Sequence, residues 1–98
     1  MYLIEVSVQS NKVELKGHAD RMESDGIDRA CAAVSALTCN LANSLEELAG
    51  EKIDARLESG SSEIRWDKLS EKGQLLVDAW YLGMVEINRA YNCINFVN

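Results

Sequence analysis

The chain is short of the features that announce several function classes at once. It has one histidine and three cysteines, Cys31, Cys39 and Cys93, with no CxxC pair among them. An odd count without paired spacing argues against a disulfide framework and against a structural zinc site, so free thiols are expected, with no metal and no cofactor. No apolar run approaches the ~20 residues that a membrane-spanning helix needs. Positive charge is also scarce: 10 Lys and Arg stand against 16 Asp and Glu, a net charge of -6. Affinity for nucleic-acid phosphates comes mainly from clustered cations, so direct nucleic-acid binding is disfavoured and a basic protein partner suits the surface better. The opening MYLIEVSVQSNKV has no basic n-region and no continuous apolar stretch before a small-residue cleavage site, so a cytoplasmic location is the expectation. There is no linker, low-complexity stretch or internal repeat.

What is present is the composition of one soluble globular domain spanning residues 1–98, 47% apolar and 27% charged. Tyr2, Ile4, Val6 and Val8 alternate with mostly polar residues, and Val13 and Leu15 resume the alternation after Ser10-Asn11. That period predicts two strands joined by a tight turn. Gly17-His18-Ala19 then closes the second strand, and residues 20–25 are polar and turn-prone, which predicts a loop with His18 at the strand end.

Asp28 has the chemistry of an N-cap, because Cys31, Val34, Leu37, Leu41, Leu45 and Leu48 fall on one arc at helical spacing after it. The helix is expected to stop near Gly50. Ile53, Ala55 and Leu57, followed after Ser59-Gly60-Ser61 by Ile64 and Trp66, predict a second hairpin whose inward face joins the first sheet. Ser70 is the expected cap of a second helix carrying Leu76, Trp80, Met84, Ile87 and Tyr91, and Ile94 and Phe96 suggest a short final strand. The order ββαββαβ implies a two-layer α+β domain, two helices packed on a mixed or antiparallel sheet. Strand order does not follow from these patterns.

If Asp28 caps the first helix, Cys31 is its third residue and feels the partial positive charge of the unpaired amides. A helix terminus contributes only ~0.3–1 kcal/mol, well under one pKa unit, so a second cation is needed to make a thiolate at neutral pH. His18 is the only histidine that can supply it, and as imidazolium it would also protonate a leaving amine. Gly26 allows a sharp turn into the helix, and Ala32 and Ala33 leave room for a substrate backbone beside helix amides that are candidate oxyanion donors. Asp28 could instead orient His18. The residue types alone leave a second reading open: a buried cysteine on the apolar arc and a satisfied polar histidine, with Cys39, Cys93, Trp80, Met84 and Tyr91 as structural residues.

Gly17-His18-Ala19 followed by G-x-D-x-x-CAAVSAL at Gly26 to Leu37 resembles the bacterial ribosomal-processing cysteine protease family Prp. LLVDAWYLGMVEINRAY followed by CINFV is similar to that family's second helix and last strand, so the likeness covers nearly the whole chain. The resemblance implies a homodimeric cytoplasmic α+β protease that removes an N-terminal extension from a large-subunit ribosomal protein precursor. It also implies Cys31 as nucleophile, His18 as base or ion-pair partner, Asp28 in support and Ser35 in a structural or supporting role. The segment Asp20, Arg21, Met22, Glu23, Ser24, Asp25 and Gly26 corresponds to a mobile loop expected to order over the bound peptide. Asp25 stands where the family commonly shows an aromatic, and Arg29-Ala30 replaces an aliphatic pair; both bear on substrate fit. The rival readings are a non-catalytic module that docks on a ribosomal or other basic protein, and a protease acting on a different, phage-related protein. A metal enzyme ranks third, since one His and scattered cysteines give no ligand spacing.

Overall fold

Two-residue turns at Ser10-Asn11 and Ser59-Gly60 close the two hairpins that the alternating residues predict. The computed structural model describes residues 4–17 and 29–97. Its elements are β1 (Ile4–Gln9), β2 (Lys12–Lys16), α1 (Arg29–Glu47), β3 (Ile53–Glu58), β4 (Ser61–Trp66), α2 (Glu71–Tyr91) and β5 (Ile94–Val97). This is the expected order ββαββαβ. Tyr2, His18, Ala19, the 20–26 loop and Asp28 lie outside the described residues.

The strands form one five-stranded mixed sheet in the order β3-β4-β2-β1-β5. β1 pairs parallel with β5, and the other neighbours are antiparallel. Because side chains alternate along a strand, the register sorts every position onto one of two faces. Ile4, Val6, Val13, Leu15, Ile64 and Trp66 share the apolar face and are all buried against the helices. The opposite face is charged. There Glu14 sits directly across from Glu63, and Lys12 across from Arg65, two like-charge pairs that would repel if isolated. Each is relieved by opposite charge, along the strand and across it: Lys12 Nζ lies 3.7 Å from Glu14 on its own strand and 3.3 Å from Glu63 on the diagonal, and Arg65 Nε donates to Glu63 on its own strand at 2.8 Å.

The junctions are made by backbone-directed polar groups. The Ser70 hydroxyl accepts from the Gly73 amide at 3.1 Å, and the Glu51 carboxylate accepts from the Ser70 amide and hydroxyl, so α2 begins at the expected cap. At the other end, Asn92 takes a left-handed conformation, and the Asn88 side chain accepts from the Ile94 amide. The Ile4 amide then donates to the Cys93 carbonyl, which starts the parallel β1/β5 pairing.

The two helices meet along a seam fixed by one polar pair. Thr38 is buried in α1; its hydroxyl donates to the Val34 carbonyl at 2.7 Å and accepts from Trp80 Nε1 at 3.2 Å. Close by, Leu37 packs over Gly83, where a Cβ would meet its Cδ1 at 2.7 Å. The buried face of α1 is Ala30, Val34, Thr38, Leu41, Ala42 and Leu45. That corrects the expected arc: Leu37 and Leu48 are exposed, Leu48 because it lies beyond the last turn. On the edge strand β3, Ala55 and Leu57 are also exposed, since among the described residues α1 reaches this strand without covering them. No helix among the described residues is long and apolar enough to cross a membrane.

Two outcomes follow from this architecture. Thr38→Val keeps the shape but leaves Trp80 Nε1 without an acceptor, and denaturant unfolding should show a loss of about 1–3 kcal/mol. The second concerns Glu63, whose pKa is held below its ordinary 4.5, first by the hydrogen bond from Arg65, against some desolvation, and then by Lys12. A depressed carboxylate contributes stability above its ordinary value and loses it as pH falls through the lowered one. Thermal unfolding measured below about pH 4.5 should therefore fall less steeply in Glu63→Gln than in the wild type.

Candidate active site

The first turn of α1 faces a cleft of about 320 Å³. From α1 come Cys31, Val34, Ser35, Thr38 and Cys39. Ile4, Leu15 and Gly17 form the sheet side, and the β3–β4 hairpin from Leu57 to Ser62 forms the far wall. The floor is therefore apolar and the rim carries hydroxyls, the mixture expected of a site that holds an organic ligand in one orientation.

Cys31 is the third residue of α1, half-buried and at the edge of the core. Its helix position exposes it to the field of the first-turn amides, which favours an anion there. Ser35 is one turn further along, exposed and in the same wall. Sequence reasoning expected this pair, and the fold brings both to the cleft. Gly17 is the end of the chain segment that leads to His18. It adopts φ 99°, open to glycine at little cost, and its amide donates to the Gly60 carbonyl at 2.9 Å, tying the end of β2 to the hairpin tip. His18, Asp28, and the segment from Asp20 to Gly26 lie outside the described residues.

The other two cysteines part company. Cys93 is buried in the core, as a structural residue should be. Cys39, expected as a structural residue, is exposed and lines the cleft. Its period-3.6 position beside the buried arc was the available signal, because residue 39 falls on the flank that also carries Ser35. All three are thiols outside any disulfide. Trp80 and Met84 are core residues and Tyr91 is half-buried against the core, matching their helical spacing. Among the described residues no group of His, Cys, Asp or Glu is arranged to hold a metal ion.

A second, shallower groove of about 660 Å³ lies between α2 and β5, lined by Val8, Val77, Tyr81 and Leu82 among others. Tyr81 and Phe96 meet there with ring centroids 5.2 Å apart and planes tilted by 51°. Among the described residues Asp78 is its one carboxylate, and no thiol or histidine lines it. The chemistry-bearing residues belong to the first cleft.

The chain is similar over 98% of its length, at 26% identity and TM-score 0.81, to 97% of the ribosomal processing protease Prp of S. aureus in complex with a covalently linked product peptide. It is also similar, at 31% identity and TM-score 0.71, to the protein SMU.848 of Streptococcus mutans, covering 98% of this chain and 91% of that one. The S. aureus protease with a substrate peptide matches at 24% identity and TM-score 0.73, over 99% of this chain and 98% of that one, a likeness of fold. No match was found among curated proteins. The family model for cysteine protease Prp matches residues 3–94. On that match, spanning nearly the entire sequence, the chain belongs to the Prp family of cysteine proteases.

Proposed function

We propose that the protein is an endopeptidase that removes the N-terminal extension of a large-subunit ribosomal protein, with Cys31 as nucleophile and His18 as its base. The observation that carries this reading is that Cys31, in the first turn of α1, and Gly17, the covalent neighbour of His18, line one cleft. The S. aureus relative with its covalently linked product peptide supports a covalent route.

In this mechanism the Cys31 thiolate attacks the scissile carbonyl carbon and the carbonyl oxygen becomes an oxyanion held by amides of the first helical turn. The C–N bond then breaks and His18 gives its proton to the departing amine, leaving an acyl-enzyme. Water, deprotonated by His18, attacks the thioester, and the thiolate leaves with the acid released. Asp28 supports the site by capping α1 or by orienting His18, Ser35 supports the wall beside Cys31, and the segment from Asp20 to Gly26 orders over the peptide. The enzyme acts in the cytoplasm.

It acts as a homodimer in this reading. Leu75 and Leu82, 69% and 66% exposed, lie seven residues apart on one stripe of α2, and Leu82 borders the α2–β5 groove. Two exposed leucines on one stripe beside an apolar groove suit an interaction face, and in this reading a second copy covers it symmetrically. Light scattering should report a dimer for the wild type and a monomer for Leu82→Glu; a monomeric wild type, or a variant that stays dimeric, contradicts this interface.

The activity test incubates the protein with the host's ribosomal precursor carrying its N-terminal extension and reads intact masses. One N-terminal fragment should be released by the wild type, none by Cys31→Ala, and about 10²–10⁴-fold more slowly by His18→Ala, with folded circular dichroism spectra throughout. Cleavage by Cys31→Ala overturns the mechanism. A stable complex left uncut by the wild type would make the protein a binding module, and cleavage of a phage-related protein in place of the ribosomal one would change the substrate.

A further inference from the structure

The cleft does not end at Cys31. Cys39 lies eight residues further along α1, about 12 Å at 1.5 Å per residue, and the helix has turned only about 80° beyond two full turns between them. Both residues line the same cavity. The stretch between them is fixed by the Thr38 hydroxyl, which joins the Val34 carbonyl to Trp80 beneath it. Facing it, Leu57 and Ser62 pair in register on the helix-facing side of the β3–β4 hairpin. The Ser62 hydroxyl donates to the Glu58 carbonyl at 3.2 Å, and the Gly17 to Gly60 bond holds the tip. Among the described residues Glu58 is the one charged residue along the cavity, and its register sets it on the sheet's opposite face. The channel thus offers apolar surface and hydroxyls to whatever lies between the two thiols.

We infer that Cys39 is a specificity-determining residue: its small side chain keeps the distal end of the cleft open to an extended peptide running along α1 from Cys31. At about 3.3 Å per residue, 12 Å accommodates three to four residues on one side of the scissile bond. An uncharged extended segment fits the lining, with its backbone toward the hydroxyls of Ser35 and Ser62 and an apolar side chain toward Val34 and Leu57. A bulky residue at 39 closes the far end and shortens the peptide the enzyme can use. This rests on the protease reading above, and adds to it the length and direction of the bound segment. Cys39 is exposed, so enlarging it leaves the core untouched.

The test uses overlapping peptides from the N-terminal region of the ribosomal precursor, shortened one residue at a time, with wild type, Cys39→Phe and Cys39→Ser. For the wild type, kcat/KM should rise with three to four residues on one side of the cut. Cys39→Phe should lose about tenfold or more on the longest peptides, through KM, and nothing on the shortest, while Cys39→Ser follows the wild type. Equal losses at every length, or no loss at any, would overturn the assignment. Binding is read separately in Cys31→Ala, where the same peptides should slow maleimide labelling of Cys39. Protection without cleavage by the wild type would overturn the protease reading and keep the channel; cleavage without protection would overturn the channel and keep the protease.

Discussion

The Thr38 hydroxyl, shared between the Val34 carbonyl and Trp80 Nε1, is the interaction on which the rest of the site depends. It is a buried polar contact in an otherwise apolar seam, and its partners are satisfied only when α1 and α2 take one rotation and one depth. Leu37 over Gly83 sets the distance of approach on the same seam. Since Cys31, Ser35 and Cys39 all ride on α1, the angle at which they meet the hairpin is set by this pair, with Thr38 in the cleft wall and Trp80 beneath it. α2 carries no residue of the cleft lining, yet it determines where that lining stands.

The sheet contributes by keeping its two faces chemically distinct. Its charged face cannot be covered by a helix without desolvating the Lys12, Glu14, Glu63 and Arg65 array, so both helices are confined to the other side. Two helices do not span five strands evenly. Among the described residues the outer end at β3 is not fully covered, and its exposed Leu57 becomes a wall of the cleft instead of a core residue. The cleft is bounded by the β3–β4 hairpin on one side and by the N-terminal half of α1 on the other.

Element types and order were readable from sequence because each has a strong local period, reinforced at Ser10-Asn11, Ser59-Gly60 and Ser70 by turn and cap chemistry. Strand order was not, because the β2/β4 and β1/β5 pairings join segments far apart in the chain and no local pattern encodes them. The same limit explains Leu37, Leu57 and Cys39. The local periods assigned Leu37 and Leu57 inward and Cys39 was expected as a structural residue, whereas their exposure depends on how far a neighbouring helix or strand reaches. Residue types singled out Cys31 as a cysteine in a first helical turn followed by small residues and left a buried structural cysteine open beside it, while Ser35 came from the family resemblance alone. The family resemblance read from Gly26 to Leu37 and Leu75 to Val97 is borne out by the match over residues 3–94.

The central claim is that Cys31 is an activated thiol and that His18 activates it. The most direct measurement is the pH dependence of alkylation at Cys31, followed by peptide mass spectrometry, in the wild type and in His18→Ala. The account predicts an apparent pKa well below the ordinary ~8.5 in the wild type, moving back toward it without His18. A wild-type Cys31 that titrates near ~8.5, or one whose titration is unchanged by His18→Ala, would contradict it.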